Sequence, residues 1–151
     1  MSDKYETMHE IILAARNNVS RSVWNYVTGA AETETTLRRN RYCLDAIALR
    51  PRILRDVRKI ATNSSFLGYK LRIPCLLAPI GSLQTLTPAG GIAVARAAEE
   101  FGIANFVSTV TEPSLEKIAA STKNPKFFQI YIRGDEKWVD AIIDRAITSG
   151  Y

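Results

Sequence analysis

Three apolar stretches of the sequence have polar residues at or just beyond their carboxyl ends, and these residues are the first candidates for chemistry. The stretches are residues 74–80 (PCLLAPI), 103–110 (IANFVSTV) and 126–132 (KFFQIYI). In a strand, side chains alternate between two faces, so Gln129 and Tyr131 share a face of the third stretch. Their amide and phenol, with the hydroxyl of Ser108, could bind a polar ligand through hydrogen bonds.

Gln129 is the least expected of these residues, because it lies among five apolar or aromatic neighbours. An unpaired buried amide costs about 1–3 kcal/mol, so this one needs a partner. Side chains of neighbouring strands are one possible source, and composition alone slightly favours it. A ligand is the other: an amide both donates and accepts, which suits a flat ring with adjacent N–H and C=O groups, as in flavin.

The elements that position these residues alternate along the chain. Each apolar stretch is followed by a predicted helix, over residues 88–102, 112–121 and 135–150. Strand then helix, three times, indicates parallel βα units, whose polar and catalytic residues gather at the carboxyl ends of the strands. Before them, helical spacing predicts helices over residues 5–19, 21–31 and 33–50, then a short hairpin around Gly68.

These patterns predict an α/β chain with two parts: a helical segment with a hairpin (1–73), and three βα units (74–151). Three parallel strands cannot close a (β/α)8 barrel, which needs eight strands and about 250 residues. The sequence is therefore interpreted as a piece of something larger.

Composition narrows the function classes. The chain has 151 residues, 46% of them hydrophobic, and no apolar run near the ~20 residues of a membrane helix. The polar N-terminus lacks the pattern of a signal peptide, which predicts a cytoplasmic protein without a transmembrane segment. One histidine, His9, and no CxxC pair predict no metal site. The two cysteines, Cys43 and Cys75, are expected to be reduced core thiols.

Basic residues concentrate between residues 38 and 59, a segment that contains eight arginines and lysines and only two aspartates. Such a cluster could attract a polyanion, or it could be a solvated or subunit-facing surface. Few aromatic residues interleave the arginines, so a stacking platform for single strands is not indicated, and no nucleic-acid partner is predicted.

The chain resembles the FMN-dependent 2-hydroxy-acid oxidases and dehydrogenases, of the glycolate oxidase, lactate oxidase and mandelate dehydrogenase type. The resemblance rests on several stretches in family order: WNYVTGAAETETTLRRNR, LRPRILRDV, LGYKLRIPCLLAPIG, PAGGIAVARAAEEFGIANFVST and FFQIYI. It covers the N-terminal half of the family only. It implies N-terminal helices followed by the first three βα units of a TIM (β/α)8 barrel, incomplete in this chain.

The resemblance also implies roles for individual residues. Tyr26 matches a tyrosine that hydrogen-bonds the substrate carboxylate, and Tyr131 matches a second active-site tyrosine. Ser108 and Gln129 match side chains that hydrogen-bond the polar edge of the flavin. The backbone that lies against the ring matches four consecutive residues, Ala78, Pro79, Ile80 and Gly81.

The implied reaction oxidises an L-2-hydroxy acid to the 2-oxo acid, with the α-hydrogen passing to N5 of FMN. In the family, the general-base histidine, the carboxylate-binding arginine, a lysine near the flavin and the phosphate-binding loops lie in the second half of the barrel. The isolated chain is therefore expected to need that half, or a complementing chain, for activity. The alternative is a non-catalytic half-barrel that self-associates or has a regulatory role. Either way, an oligomer is expected, because open sheet edges tend to associate.

Overall fold

The computed structural model describes residues 5–151, and its contacts divide the chain into two compact units, which meet in sequence between Arg58 and Lys59. The first unit contains three helices: α1 (Met8–Asn18), α2 (Arg21–Thr28) and α3 (Thr35–Asp45). The second contains β1 (Ser64–Phe66), β2 (Tyr69–Leu71), α4 (Gly91–Phe101), β3 (Asn105–Ser108), α5 (Leu115–Ala120), β4 (Lys126–Gln129) and α6 (Glu136–Thr148). The chain is therefore α/β, with helices first, then a hairpin and then alternating strands and helices.

Helices α1 and α2 of the first unit begin at side-chain caps, Thr7 and Ser20, which satisfy backbone N–H groups at their amino ends. At α1, Thr7 Oγ1 accepts from the Glu10 N–H, and the Glu10 carboxylate accepts from the Thr7 N–H, which forms a capping box. Helix α3 ends at Asp45, five residues before the predicted end at residue 50. Its last turn tightens, with the Ile47 N–H donating to the Leu44 carbonyl oxygen at 3.1 Å.

The predicted hairpin around Gly68 is present in the second unit. Strands β1 and β2 pair antiparallel, and the turn residues Leu67 and Gly68 both have positive φ, 48° and 82°. Two positive φ values match the right-handed twist of the strands, and glycine adopts them without a steric penalty. The hairpin thus belongs to the same compact unit as the βα segments, while a domain boundary after residue 73 stays a prediction.

Strands β3 and β4 pair in parallel, with Val107 opposite Phe128 and Ser108 opposite Gln129. The segment predicted as the first strand, 74–80, forms only a single parallel bridge from Leu77 to Asn105, so that prediction was too long. The next step of the ladder would need an N–H at residue 79, and Pro79 has none.

The other two predicted strands are also shorter in the structure than in the sequence analysis. Strand β4 ends at Gln129 because the next ladder donor, the Tyr131 N–H, donates to the side-chain hydroxyl of Thr109 at 3.1 Å. The predicted core position of the thiols was wrong as well: Cys43 and Cys75 are free and exposed.

The core of the second unit lies between the sheet and its helices. Ala95 of α4, Val107 of β3 and Ile118 of α5 are buried against one another, with Phe128 and Tyr151 packed beside them. Burying such side chains contributes about 1.5–3 kcal/mol for each large aliphatic residue. Packing on this face leaves the opposite face of β3 and β4 available for other contacts.

Helices α5 and α6 are joined at the surface by an ion pair between Glu116 and Arg145, with the Arg145 Nε donating to Glu116 Oε1 at 2.7 Å. The hydrogen bond from Arg145 is the main cause that lowers the pKa of Glu116 from 4.5 to about 2. A depressed carboxylate pKa stabilises the fold above the ordinary pKa, and this contribution is lost as the pH falls from 4.5 to about 2.

We therefore expect Glu116→Gln to lower the melting temperature slightly at neutral pH, since an exposed ion pair contributes little. The difference from the wild type should shrink as the pH falls through that window, as followed by circular dichroism. Glu100→Gln, at an exposed carboxylate on α4, is the control for the loss of one negative charge. A difference for Glu116→Gln that stays constant with pH would refute the assignment.

Candidate functional site

Seven of the eight candidate residues lie in the second unit, where the carboxyl ends of three neighbouring segments meet. Ser108 and Gln129 are directly paired at the last rung of the β3–β4 ladder. The segment that follows the bridge at Leu77 makes a second contact near the end of β3. There the Ser82 N–H donates to the Val110 carbonyl oxygen at 2.9 Å. The backbone of residues 78–81 is thereby placed beside the end of β3, where Ser108 lies.

On the face of the sheet opposite the helical core, the side chains are aromatic at the amino end of the strands and polar at the carboxyl end. Val107 and Phe128 face the core, so alternation places Phe106, Ser108, Phe127 and Gln129 on the other face. At the amino end, Phe127 packs against Phe106 and against the hairpin aromatics, with ring centroids 5.0–6.1 Å apart. The polar pair Ser108 and Gln129 therefore lies next to an aromatic cluster, on the carboxyl side of it.

The amide of Gln129 has an unmet hydrogen-bond requirement. Its Oε1 atom is buried and has no hydrogen-bond partner among the described residues. Of the two sources that the sequence left open, neighbouring strand side chains do not supply this partner. A buried acceptor without a partner costs about 1–3 kcal/mol, so the arrangement fits a group that is bound there and donates to this oxygen.

Ser108 lies next to that amide and is almost completely buried. Its Oγ accepts a long hydrogen bond of 3.4 Å from the Val110 N–H. A hydroxyl also has a hydrogen to donate, and in the part of the chain that the structure describes no acceptor takes it. Ser108 and Gln129 together thus offer a donor and an acceptor side by side, as the polar edge of a flat heterocycle requires.

Gly81 lies close to Val110, just beyond the end of β3. A Cβ atom on Gly81 would lie 2.6 Å from Cγ2 of Val110, well inside van der Waals contact. The absence of a side chain therefore allows the backbone at Gly81 to lie close to Val110.

We expect Gly81→Ala to destabilise the chain by about 1–2 kcal/mol, because Val110 must shift to make room. Replacing both residues, as Gly81→Ala with Val110→Ala, should recover most of that loss, since the clashing methyl group is removed. Chemical denaturation of the two single variants and the double variant measures the coupling. Strictly additive effects would contradict the proposed contact.

The two candidate tyrosines are placed differently. Tyr131 follows β4, its side chain is 47% exposed, and its N–H is bound by Thr109. Tyr26 lies on α2 in the first unit and is exposed. Its participation in the same site as Gln129 stays a prediction.

Two residues that support this edge of the sheet were not among the sequence candidates. Thr109 contacts the backbone of both Gln129 and Tyr131. Gln84, in the loop after the first segment, accepts from the Glu112 N–H at 3.1 Å and so joins two loops at this edge. Both are polar residues just beyond an apolar stretch, which is the available sequence signal, but their contacts depend on loop geometry that the sequence does not reveal.

Lys126, whose pKa is perturbed, lies at the amino end of β4, away from the candidate site. Burial lowers the pKa of Lys126, and the charge of Glu99 opposes this shift. The Lys126 Nζ donates to the backbone carbonyl oxygens of Asn124 and Thr122, at 3.3 and 3.5 Å. Since Lys126 lies at the amino end of the strand, we assign it a structural role and not a place in the candidate site.

Other classes of site find little support in residues 5–151. No group of three histidine, cysteine, aspartate or glutamate side chains is arranged there to hold a metal ion. Nor does that part of the chain contain a helix with the length and apolar character required to cross a membrane.

Known proteins match the chain over most of its length. The family model described as FMN-dependent dehydrogenase matches residues 15–151. An L-lactate dehydrogenase of Actinobacillus pleuropneumoniae serotype 5b (strain L20) is 35% identical over 137 residues, which are 91% of this chain and 36% of the relative. Glycolate oxidase 1 of Oryza sativa subsp. indica is 34% identical, with coverage of 91% and 37%.

Solved structures agree with these relatives. A crystal structure of mandelate oxidase with (S)-2-phenylpropionate superposes with a TM-score of 0.91 at 32% identity, over 97% of this chain and 43% of that one. A mandelate oxidase variant with a C4a-OH-FMN adduct superposes with a TM-score of 0.87 at 31% identity, with coverage of 93% and 43%. The chain thus spans well under half the length of the proteins that it matches.

Proposed function

The chain belongs to the FMN-dependent dehydrogenase family, and from this premise we propose that it forms part of a flavoenzyme that oxidises an L-2-hydroxy acid to the 2-oxo acid. The names of the relatives support the substrate class, because lactate, glycolate and mandelate are all 2-hydroxy acids. Their difference in size leaves the particular acid open.

The observation on which this proposal rests is the buried, unpartnered Oε1 of Gln129 beside the hydroxyl of Ser108. We propose that these two side chains hydrogen-bond the polar edge of the FMN ring. The backbone of Ala78, Pro79, Ile80 and Gly81 would lie against its face. When bound, FMN supplies the two-electron oxidant, which no side chain can replace.

The tyrosines are proposed to bind the substrate. The phenol of Tyr26 would donate to the substrate carboxylate, and Tyr131 would be the second active-site tyrosine near the substrate. Both side chains are exposed in this structure, so they are accessible to a small acid. Hydrogen bonds to a charged group are among the stronger ones, at about 1.5–3 kcal/mol each.

The family resemblance implies that a histidine takes the proton of the hydroxyl group. The one histidine of the sequence is His9, on α1 in the first unit. We therefore propose that the remaining barrel, on the same or a complementing chain, supplies the base and the phosphate contacts. Alone, this chain is expected to hold FMN weakly and to oxidise no hydroxy acid.

An incomplete barrel is supported by the outer side of β4. Among the described residues β4 pairs with β3 only, and an apolar cavity of about 390 Å³ opens beside it. Phe128 and Ile130 line the cavity from the sheet, and Ile143 and Ile147 line it from α6. We propose that the next βα unit of the barrel packs there.

The same open edge favours the second candidate function, a non-catalytic half-barrel that associates with itself. Unpaired strand edges readily pair with other chains. FMN uptake distinguishes the two: a homo-oligomer that is stable in analytical ultracentrifugation, and that stays flavin-free when the rest of a barrel and FMN are supplied, would support the second candidate.

A chimera tests the catalytic proposal. In the L-lactate dehydrogenase of A. pleuropneumoniae, the 137 aligned residues are replaced by the matching residues of this chain; we call this protein the chimera. Anaerobic addition of L-lactate, glycolate or (S)-mandelate should bleach its flavin absorbance. Tyr131→Phe should raise the KM for the acid by about tenfold. A flavin that binds but is reduced by none of the three acids would contradict the proposed reaction.

A further inference from the structure

We propose that Thr109 is a positioning residue, which fixes the chain between Gln129 and Tyr131 so that both side chains face the proposed flavin site. The inference rests on the proposed function for what the site binds, although the contacts themselves are independent of it. Thr109 directly follows β3 and is half-buried.

Three hydrogen bonds connect this one residue to the end of β4. The Thr109 N–H donates to the Gln129 carbonyl oxygen at 3.0 Å, and the Thr109 hydroxyl donates to the same oxygen. The hydroxyl oxygen in turn accepts from the Tyr131 N–H at 3.1 Å. One hydroxyl therefore uses its hydrogen and a lone pair to bind both sides of Ile130.

This arrangement replaces a regular rung of the parallel ladder. In the regular pattern the backbone carbonyl of Thr109 would accept the Tyr131 N–H, and the strand would continue. The side-chain hydroxyl takes that N–H instead, so the chain leaves the ladder after Gln129 while both neighbouring backbone groups remain satisfied. The direction of the chain at Tyr131 thus depends on a side chain, which a substitution can remove.

Substitution by valine or by serine tests the hydroxyl and the methyl group of Thr109 separately. Thr109→Val keeps the shape and loses the hydroxyl, whereas Thr109→Ser keeps the hydroxyl and loses the methyl group. Amide hydrogen exchange of the full 151-residue chain, read by NMR, measures the local effect. We expect the Tyr131 amide to exchange about fivefold to tenfold faster in Thr109→Val and near the wild-type rate in Thr109→Ser.

The amide of Phe106 in β3, which donates to the Leu77 carbonyl oxygen at 2.9 Å, is the internal control and should not change. Faster exchange at Phe106 and Tyr131 alike would mean general loosening of the sheet, and an unchanged Tyr131 amide would mean that the hydroxyl does not hold it. Either result overturns the proposal. If Thr109→Val does not fold, Thr109→Ala takes its place in the same comparison.

FMN binding by the chimera tests the link to the site. Thr109→Val should raise the dissociation constant for FMN by about fivefold and shift the flavin absorption spectrum, while Thr109→Ser should match the parent chimera. Identical affinity and spectrum in all three proteins would overturn the positioning role. A parent chimera that binds no FMN would instead contradict the proposed function, and the exchange experiment would still decide whether Thr109 positions Tyr131.

Discussion

Replacing Gln129 with methionine is expected to stabilise the unliganded chain by about 1 kcal/mol and to weaken FMN binding by the chimera. Methionine has a similar length and shape but no buried acceptor, so the variant removes the cost of the unpartnered Oε1. The same change would remove the proposed hydrogen bond to the ring, which should raise the dissociation constant for FMN roughly tenfold, or about 1.4 kcal/mol. Urea denaturation and a fluorescence titration with FMN measure the two effects.

Gln84→Met is the matched control for this prediction, because Gln84 makes the hydrogen bond that Gln129 lacks. Its Oε1 accepts from the Glu112 N–H, so methionine should destabilise the chain here by about 1 kcal/mol. Opposite signs at the two glutamines would identify Gln129 as a residue kept for binding and not for folding. A loss of stability in Gln129→Met would show that the amide has a structural role after all.

The largest effect on stability is expected for Gly90→Ala, at about 3–4 kcal/mol. Gly90 has φ of 51° and ψ of −129°, a region that L-residues rarely enter. A Cβ atom there would lie 2.0 Å from the carbonyl oxygen of Glu112, and that oxygen also accepts from the Gly91 N–H at 2.8 Å. Alanine would therefore separate the start of α4 from the loop that follows β3.

Gly68→Ala distinguishes the two causes of this loss, which are backbone strain and the clash with the Glu112 carbonyl oxygen. Gly68 also has a positive φ, 82°, but no atom lies within 4 Å of the position where its Cβ would be. Backbone strain alone should then cost about 1 kcal/mol. Thermal and urea denaturation of both variants give the difference, and equal losses at Gly68 and Gly90 would show that the contact with Glu112 does not matter.

The sequence predicted the parts of the fold that depend on local chemistry. Periodic apolar residues gave the helices, and the glycine at position 68 gave the hairpin turn. It overestimated the first strand because the missing N–H of Pro79 matters only when a neighbouring strand is there to receive it. Likewise, β4 ends early because of the hydroxyl of Thr109, which directly follows β3 and which no local pattern around β4 reveals.

The candidate site was predictable in its residue types and not in their partners. The sequence indicated that the amide of Gln129 needs hydrogen-bond partners, and the structure shows that its Oε1 atom has none among the described residues. The pairing of Ser108 with Gln129 depends on strand register, which is set by tertiary packing. The contacts of Gly81 with Val110 and of Thr109 with Tyr131 join segments about 20–30 residues apart, beyond the range of sequence patterns.

The flavin content of the purified chimera tests the central claim most directly, because it asks whether this chain can form its side of an FMN site. Absorbance during gel filtration, with the parent L-lactate dehydrogenase as reference, gives the amount of FMN per folded polypeptide. We predict a yellow protein with one FMN per chain, and a lower flavin content in its Gln129→Met variant. A chimera that folds with the parent's helical content but elutes colourless in the presence of excess FMN would contradict the account.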